Sequence, residues 1–328
     1  MTFHILCPVC KSDGEKEVVG EYDYIQSSKY FCPESRDKDR NRRFANAIRR
    51  LWKQDKGYFL LCKNCGFGFG YPFVGGDDAF YEIVHEQFQY PLTRWEYNIT
   101  INQFFKVAPP QKILDIGAGA GYFLDKTNCS GKYAMEGSET TRVVLREKGI
   151  KVYEEEKQLI EENRGTFNYI TMYQVLEHIA EFENIFYTSN QLLSLHGSLI
   201  ISVPDCNAMI EQEKLTGYPD IFPNHINKWT PYSLGIALKN FGFEIKQIIY
   251  EPPSLRKFFD SVHLKISHKA TINGTLASSI YTIKNKKIRI LALFFYSFIE
   301  LPSLLFYYKH LDRAGSFLAR AEKVYNLN

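Results

Sequence analysis

From residue 111 onward the chain alternates apolar runs of strand length with stretches whose apolar residues recur every three to four positions. KILDIGA, KYAMEGS, GIKVYE, FNYITMYQVL, GSLIISVPD and FEIKQIIYE supply the runs. Apolar runs separated by amphipathic stretches predict βαβ units, hence an α/β fold with a doubly wound, mostly parallel sheet. Upstream, residues 76–110 mix aromatic and polar residues (YEIVHEQFQYPLTRWEYNITINQFF), which predicts a helical lid or linker over a site, closed by the break APPQK. The terminal GSFLARAEKV reads as one more strand. Between these lies a helical apolar insertion near 255–312. Its segment 288–308, IRILALFFYSFIELPSLLFYY, carries Glu300 and Pro302, so its uninterrupted apolar part is short for a membrane span. A core or interface helix is the expectation there, with shallow membrane or lipid contact as the alternative.

Length and charge narrow the picture modestly. A chain of 328 residues, 45% hydrophobic, accommodates one large domain and a smaller one. A net charge of +3 demands no polyanionic partner and leaves nucleic acid neither required nor excluded. The opening MTFHILCPVC has neither a basic n-region nor a long apolar h-region, so a cytoplasmic location is expected. Four of the seven cysteines fall into two CxxC pairs, which in a reducing compartment favours metal or free thiols over disulfides.

Those pairs, Cys7/Cys10 and Cys62/Cys65, frame residues 1–75 as a small domain. Four thiolates can converge tetrahedrally on zinc, and a shell filled by sulfur leaves no open position, so such a metal is structural. Unligated thiols, or Cys32 replacing one ligand, are the competing arrangements. Between the pairs runs the basic stretch RDKDRNRRFANAIRR, which includes Asp37 and Asp39 and reads as the solvated face of a helix. Arg42 and Arg43 are candidate contacts for an anionic acceptor.

The richest signal is ILDIGAGAGYF, residues 113–123. A buried strand ends at Asp115 and Ile116 and opens through Gly117, Gly119 and Gly121 into a helix. The glycines fall as G-x-G-x-G, with Tyr122 where a dinucleotide fingerprint needs its last glycine, so the spacing disfavours NAD. The next strand ends in AMEGSE, which puts Glu136 twenty-one residues after Asp115, near the spacing at which an acid reaches the hydroxyls of a ribose. A further strand, FNYITMYQVLEHI, brings Tyr173, Gln174, Glu177 and His178 to the sheet edge where ligands of open α/β sheets bind.

Together, ILDIGAGAGYFL, AMEGSE and FNYITMYQVLEHI resemble the class I S-adenosylmethionine-dependent methyltransferases over about residues 77–250. The resemblance implies a Rossmann-like domain over 111–328 that binds S-adenosyl-L-methionine. It implies that Asp115, Gly117, Gly119 and Gly121 wrap the methionine and ribose portions, and that Glu136 holds both ribose hydroxyls. Tyr122, Tyr173 and the aromatics of 81–95 are candidates to face the sulfonium, with Gln174 beside them. Asn168 departs from the aspartate more common in that family, a difference read as structural. The resemblance also makes VLEHI a border of the substrate, its histidine being in some members an acid/base or metal contact. His178 is the first candidate general base, and His225, in FPNHINKWTPYSL, the second; a hydrogen-bonded structural histidine is the alternative for either. The amino-methylating Asn/Asp-Pro-Pro-Tyr signature is absent after this strand, so DNA is not expected as a partner. N-terminal CxxC pairs similar to these precede methyltransferase domains acting on sugars and polysaccharide precursors. The expectation is therefore an EC 2.1.1.- enzyme with structural Zn2+, methylating oxygen or carbon of a sugar, glycan precursor or other small-molecule acceptor. The alternatives are an RNA or protein methyltransferase docking through the zinc domain, and a catalytically inactive binding or scaffold protein.

Overall fold

The computed structural model describes residues 5–87, 90–308 and 314–327. Among these residues the strands, in chain order, are β1 Lys16–Asp23, β2 Lys56–Cys62, β3 Gly68–Tyr71, β4 Lys112–Ile116, β5 Gly131–Met135, β6 Lys151–Tyr153, β7 Phe167–Tyr173, β8 Leu193–Pro204, β9 Asn227–Lys228, β10 Phe243–Glu251 and β11 Ala314–Lys323. Seven form a sheet of order β10-β11-β8-β7-β4-β5-β6. Strands β4 to β8 pair in parallel, and β11 runs antiparallel between β8 and β10. This is the expected mostly parallel, Rossmann-like α/β sheet, and the terminal apolar run is its strand β11.

The apolar runs are continuous because both faces of the sheet are covered. Ile113 and Leu114 on β4, Ile170 and Met172 on β7, and Leu199, Ile200 and Ile201 on β8 are all fully buried. Helices Tyr122–Lys126, Glu139–Glu147, Glu156–Asn163 and Phe182–Leu192 supply crossovers. The order reverses at β4, whose neighbours are β5 and β7, so a crevice opens beyond the carboxyl ends of those three strands. Asn168 accepts hydrogen bonds from the Gln111 and Lys112 amides, so it fixes the entry to β4.

Helices Asp78–His85 and Trp95–Ile99 lie at that crevice, and the second continues as a wider-turned segment, Thr100–Phe105. Tyr97, Phe104 and Phe105 bury their rings against Phe123, Tyr169 and Tyr173.

A second, four-stranded antiparallel sheet has the order β1-β2-β3-β9. Its last strand comes from beyond β8, so residues distant in sequence share one sheet. The two sheets also share a core, where Phe67 and Phe182 pack on Trp229 with ring centroids 4.6 and 5.1 Å away. Helix Lys38–Trp52, capped by Asp37, covers this sheet, with Phe44, Ile48 and Trp52 buried.

The insertion before β11 forms helices Leu255–Ala270, Leu276–Tyr281 and Lys286–Tyr308; residues 309–312 of its expected span lie outside the described residues. Of the expected core or interface helix at 288–308, the core alternative is corrected here. Tyr296, Glu300 and Leu304 are buried, but Ile288, Leu291, Phe295 and Phe298 are 55–62% exposed. The inward face takes the glutamate because Lys265 and Lys269 from Leu255–Ala270 pair with it, leaving the aliphatic and aromatic residues outside.

Candidate active site

The crevice beyond β4, β5 and β7 is lined by Asp115, Gly117, Gly119, Tyr122, Glu136, Tyr173, Gln174, His178 and His225, so it gathers nearly every residue singled out in the sequence. Gly121 lies off that wall. A Cβ there would stand 2.7 Å from Leu145 Cδ2, and its φ of +77° disfavours a side chain; it lets the following helix pack closely. Gly119 has φ +52°, and a Cβ on it would stand 2.8 Å from the Tyr90 ring, so it keeps the loop thin where a ligand would approach.

Glu136 ties the end of β5 to the glycine loop. Its Oε2 accepts from the Gly119 amide at 2.9 Å and its Oε1 from the Ser138 amide at 3.0 Å. Asp115, 3% exposed, accepts from Thr171 Oγ1 at 2.7 Å. Burial pushes its carboxyl up to about 7, against the pull of the Thr171 hydrogen bond. Tyr173 donates to Thr100 Oγ1 at 2.8 Å. Gln174 adopts φ +57°, a left-handed conformation that is strained for a residue with a side chain. Its amide donates to Glu96 Oε1 at 3.2 Å. Glu96 is buried, and desolvation raises its pKa.

The opposite wall is polar, with Glu177 buried and both histidines half-buried. Both side-chain oxygens of Glu177, 1% exposed, have no hydrogen-bond partner among the described residues, and burial pushes the carboxyl up to about 7. His178 Nδ1 lies 2.8 Å from the Asn224 carbonyl and 3.2 Å from Tyr81 Oη. A carbonyl only accepts, so Nδ1 carries the hydrogen. Burial, then neighbouring His225, lowers the pKa of His178 to about 3, which makes it a neutral imidazole. His225, its ring 4.6 Å away, donates Nδ1–H to Asp220 Oδ2 at 2.8 Å. Burial pulls its pKa down, but Asp220 more than offsets this and the net shift is upward.

The second sheet holds this wall in place. The Ile226 amide donates to the Glu177 carbonyl, the Gly70 amide donates to the Ile226 carbonyl, and β3 pairs with β9 directly after. Sequence reasoning missed Tyr81 as a partner of His178, as well as Glu96, Asp220 and Arg94, which also lines the crevice. Asp220 sits in the loop GYPDIFPNH, which has no period to read, and Glu96 looks like an ordinary helix-surface acid.

At the edge of the second sheet the four CxxC sulfurs lie within 4.8 Å of one another. Cys7 and Cys65 are 3.6 Å apart, Cys10 and Cys62 3.7 Å. A zinc–sulfur bond of about 2.3 Å gives a tetrahedral edge of about 3.8 Å, so the donor set could hold zinc. Cys32 is elsewhere, its sulfur near the Pro33 and Asp37 carbonyls. Arg42 and Arg43, weighed as anion contacts, pair instead with Asp39 and Glu86 on the outside of the helix.

Comparison with known proteins bears on the crevice domain. A family described as "Methyltransferase domain" matches residues 82–248. No curated protein matches the chain. Among solved structures, an S-adenosylmethionine-dependent methyltransferase of Archaeoglobus fulgidus is 16% identical, with 74% of this chain and 100% of that one aligned at a TM-score of 0.46. One of Mesorhizobium loti is 15% identical over 64% and 90%, with a TM-score of 0.40. Phosphoethanolamine N-methyltransferase 2 of Haemonchus contortus, solved with S-adenosyl-L-methionine, is 15% identical over 70% and 52%, with a TM-score of 0.41. The matched segment runs from the helices at the crevice through β4 to β10, so the chain belongs to the methyltransferase-domain family and is a class I S-adenosylmethionine-dependent methyltransferase.

Proposed function

We propose that the enzyme methylates oxygen or carbon of a sugar, glycan precursor or similar small polar metabolite, using the two walls of the crevice for cofactor and acceptor. The observation that carries this reading is the division of the crevice. The glycine loop and Glu136 form one side, and a Glu177–His178–His225 wall backed by Asp220 forms the other. S-adenosyl-L-methionine supplies an electrophilic methyl group on a sulfonium.

On the cofactor side Asp115, Gly117, Gly119, Glu136, Tyr122, Tyr173 and Gln174 hold the ligand, with Gly121 acting through helix packing. Asp115 and Glu96 place buried carboxyl groups near the sulfonium side, where a cationic ligand lowers the cost of their ionisation. On the acceptor side, orientation alone can contribute on the order of 7 to 11 kcal/mol. The acceptor's proton leaves at the histidine wall. Of the two histidines, His225, raised by Asp220, is nearer the range of an effective base than neutral His178. His178 then orients the acceptor through its free ring nitrogen.

The basic helix Lys38–Trp52 gives little support to an RNA-docking reading, because Arg42, Arg43, Arg49 and Arg50 are each paired with an acid. We further propose that Cys7, Cys10, Cys62 and Cys65 bind one structural Zn2+.

Calorimetric titration with S-adenosyl-L-methionine, with NAD and NADP as controls, tests the cofactor assignment. Micromolar binding of S-adenosyl-L-methionine alone is expected, followed by turnover in a screen that begins with nucleotide sugars. Binding of NAD instead would overturn the reading of the glycine loop. Turnover confined to RNA or protein would overturn the acceptor class.

A further inference from the structure

The acceptor wall has a feature that proton transfer alone leaves unexplained. Glu177 is buried, and neither carboxylate oxygen has a hydrogen-bond partner among the described residues. An unpaired buried carboxylate is costly, and such a group normally finds a donor or a cation. Beside it, both histidines are fixed in the same sense. His178 gives its Nδ1–H to the Asn224 carbonyl, and His225 gives its own to the Asp220 carboxylate. In its neutral form each ring then keeps its lone pair on Nε2. A carboxylate or carbonyl on one nitrogen and a free lone pair on the other is the arrangement that supports metal-ligating histidines. One potential ligand atom from each of Glu177, His178 and His225 falls within 4.8 Å of the others.

We propose that Glu177, His178 and His225 bind a divalent first-row metal cation on the acceptor side of the crevice. Two imidazoles and one carboxylate suit zinc or another borderline cation, and three protein ligands leave its crevice side open. An acceptor oxygen fits that position, which would explain how the wall draws off a proton without a strongly basic histidine. Asp220 is a positioning residue: it sets the ring orientation of His225. The acceptor part of this inference rests on the reading of the site given above, whereas metal binding is measured without any methyl transfer.

The test is a metal count on full-length protein equilibrated with micromolar ZnCl2 and passed through gel filtration. Two zinc ions per chain are expected in the wild type, and one in Glu177→Gln and in His225→Asn. Asp220→Asn should weaken the second site by about 10- to 100-fold. Titration with MnCl2, followed by loss of the free-ion electron paramagnetic resonance signal, reads the same site with a metal that avoids thiolates. Binding of S-adenosyl-L-methionine by each variant shows that it is folded; Glu177→Gln, nearly isosteric, carries the test if His225→Asn does not fold. A single zinc per chain in the wild type, or an unchanged count in both variants, overturns the proposal and leaves His225 as a metal-free base. Failure to bind S-adenosyl-L-methionine with two metals retained would overturn the cofactor reading and spare this one.

A separate observation supports a second inference. Helix Lys286–Tyr308 is the helix, among the described residues, long and apolar enough to cross a membrane, yet only 17% of its most apolar stretch is buried. Its outer stripe, Ile288, Leu291, Phe295, Phe298 and Leu305, follows helical spacing. The inner face is committed to the protein through Tyr296, Leu304 and the Glu300 ion pairs, so lipid cannot surround the helix. From Thr271 to Ile299 the chain has no acidic residue and four basic ones, of which Lys284, Lys286 and Lys287 are exposed.

An apolar stripe beside exposed basic residues matches the surface of an anionic bilayer. We infer that this helix lies flat on such a surface without spanning it. Flotation with phosphatidylglycerol/phosphatidylcholine vesicles should recover the full-length chain, and pure phosphatidylcholine should recover it at least fivefold less. Phe295→Ser/Phe298→Ser and Lys286→Glu/Lys287→Glu should each cut recovery at least fivefold while leaving S-adenosyl-L-methionine binding unchanged. No flotation with either vesicle overturns the inference, as does a stable dimer in sedimentation that covers the stripe and never floats.

Discussion

The crevice and the C-terminal helix depart from ordinary burial in opposite directions. Around the crevice, Glu96, Asp115 and Glu177 are at most 3% exposed. Along the helix, Phe295 and Ile299 are more than 60% exposed. Charged groups normally stay in water and extended apolar patches normally leave it, so each region holds free energy that folding alone does not release. Each can release it to something of matching chemistry: a cationic ligand or metal at the crevice, an apolar surface at the helix. A sequence consistent with its fold at every other level tends to break the rules at functional positions.

The largest expected effect tests whether the crevice is held from outside. Strand β9 joins the cysteine-bearing sheet to the loop that carries His225. Structural zinc in small sites contributes roughly 10 to 16 kcal/mol of apparent binding free energy, strongly dependent on pH. Cys65→Ser, or zinc removal by chelator, should therefore melt β1–β3, visible as lost circular dichroism and a lowered melting temperature, and should abolish turnover through displacement of the acceptor wall. A chelated protein that keeps both its spectrum and its turnover would show that the cysteines are not metal-bound.

Next in size is Glu136→Ala. Hydrogen bonds to a charged group contribute about 1.5 to 3 kcal/mol each, and about 1.4 kcal/mol is a factor of ten in affinity. Loss of two such bonds should weaken S-adenosyl-L-methionine at least 100-fold by calorimetry. An affinity unchanged within threefold would remove Glu136 from the site.

Asp115 sharpens the comparison through pH. Its carboxyl rests at about 7 in the folded chain, against an ordinary 3.8, with burial as the cause. Between those values the folded state holds a proton that the unfolded state has lost. Its contribution to stability is therefore full below about pH 4 and is lost as pH rises towards 7, on the order of 4 kcal/mol across the window. Asp115→Asn should raise the melting temperature of the ligand-free enzyme at pH 8 and weaken S-adenosyl-L-methionine there. Equal melting temperatures for wild type and variant from pH 5 to 8 would show that the carboxyl is not perturbed.

Much of this was legible in the sequence, and the rest has physical reasons for escaping it. β4, β7 and β8 are apolar without interruption because both sheet faces are covered, so their runs announce themselves. Gly119 and Glu136 follow from spacing along one βαβ unit, and the structure joins them by a hydrogen bond. Glu96 and Asp220 come from separate segments and acquire meaning only through tertiary contact. The helix at 286–308 misled for a related reason. Composition shows how apolar a helix is, while which face turns inward was decided by Lys265 and Lys269 capturing Glu300.

The smallest effect belongs to the control for the whole comparison, the basic helix Lys38–Trp52, where charges are exposed and paired as water prefers. Arg42 and Arg43 are 73% and 41% exposed and bridge to Asp39 and Glu86. Exposed ion pairs contribute about 0 to 1 kcal/mol and weaken with salt. Arg42→Ala should therefore change stability by less than about 1 kcal/mol in urea unfolding at moderate salt, and it should leave the acceptor Michaelis constant within twofold. A rise of tenfold or more in that constant would place an anionic acceptor on this helix. The polar recognition ascribed to the acceptor wall would then have to be shared with a surface that looks, by charge and exposure, entirely ordinary.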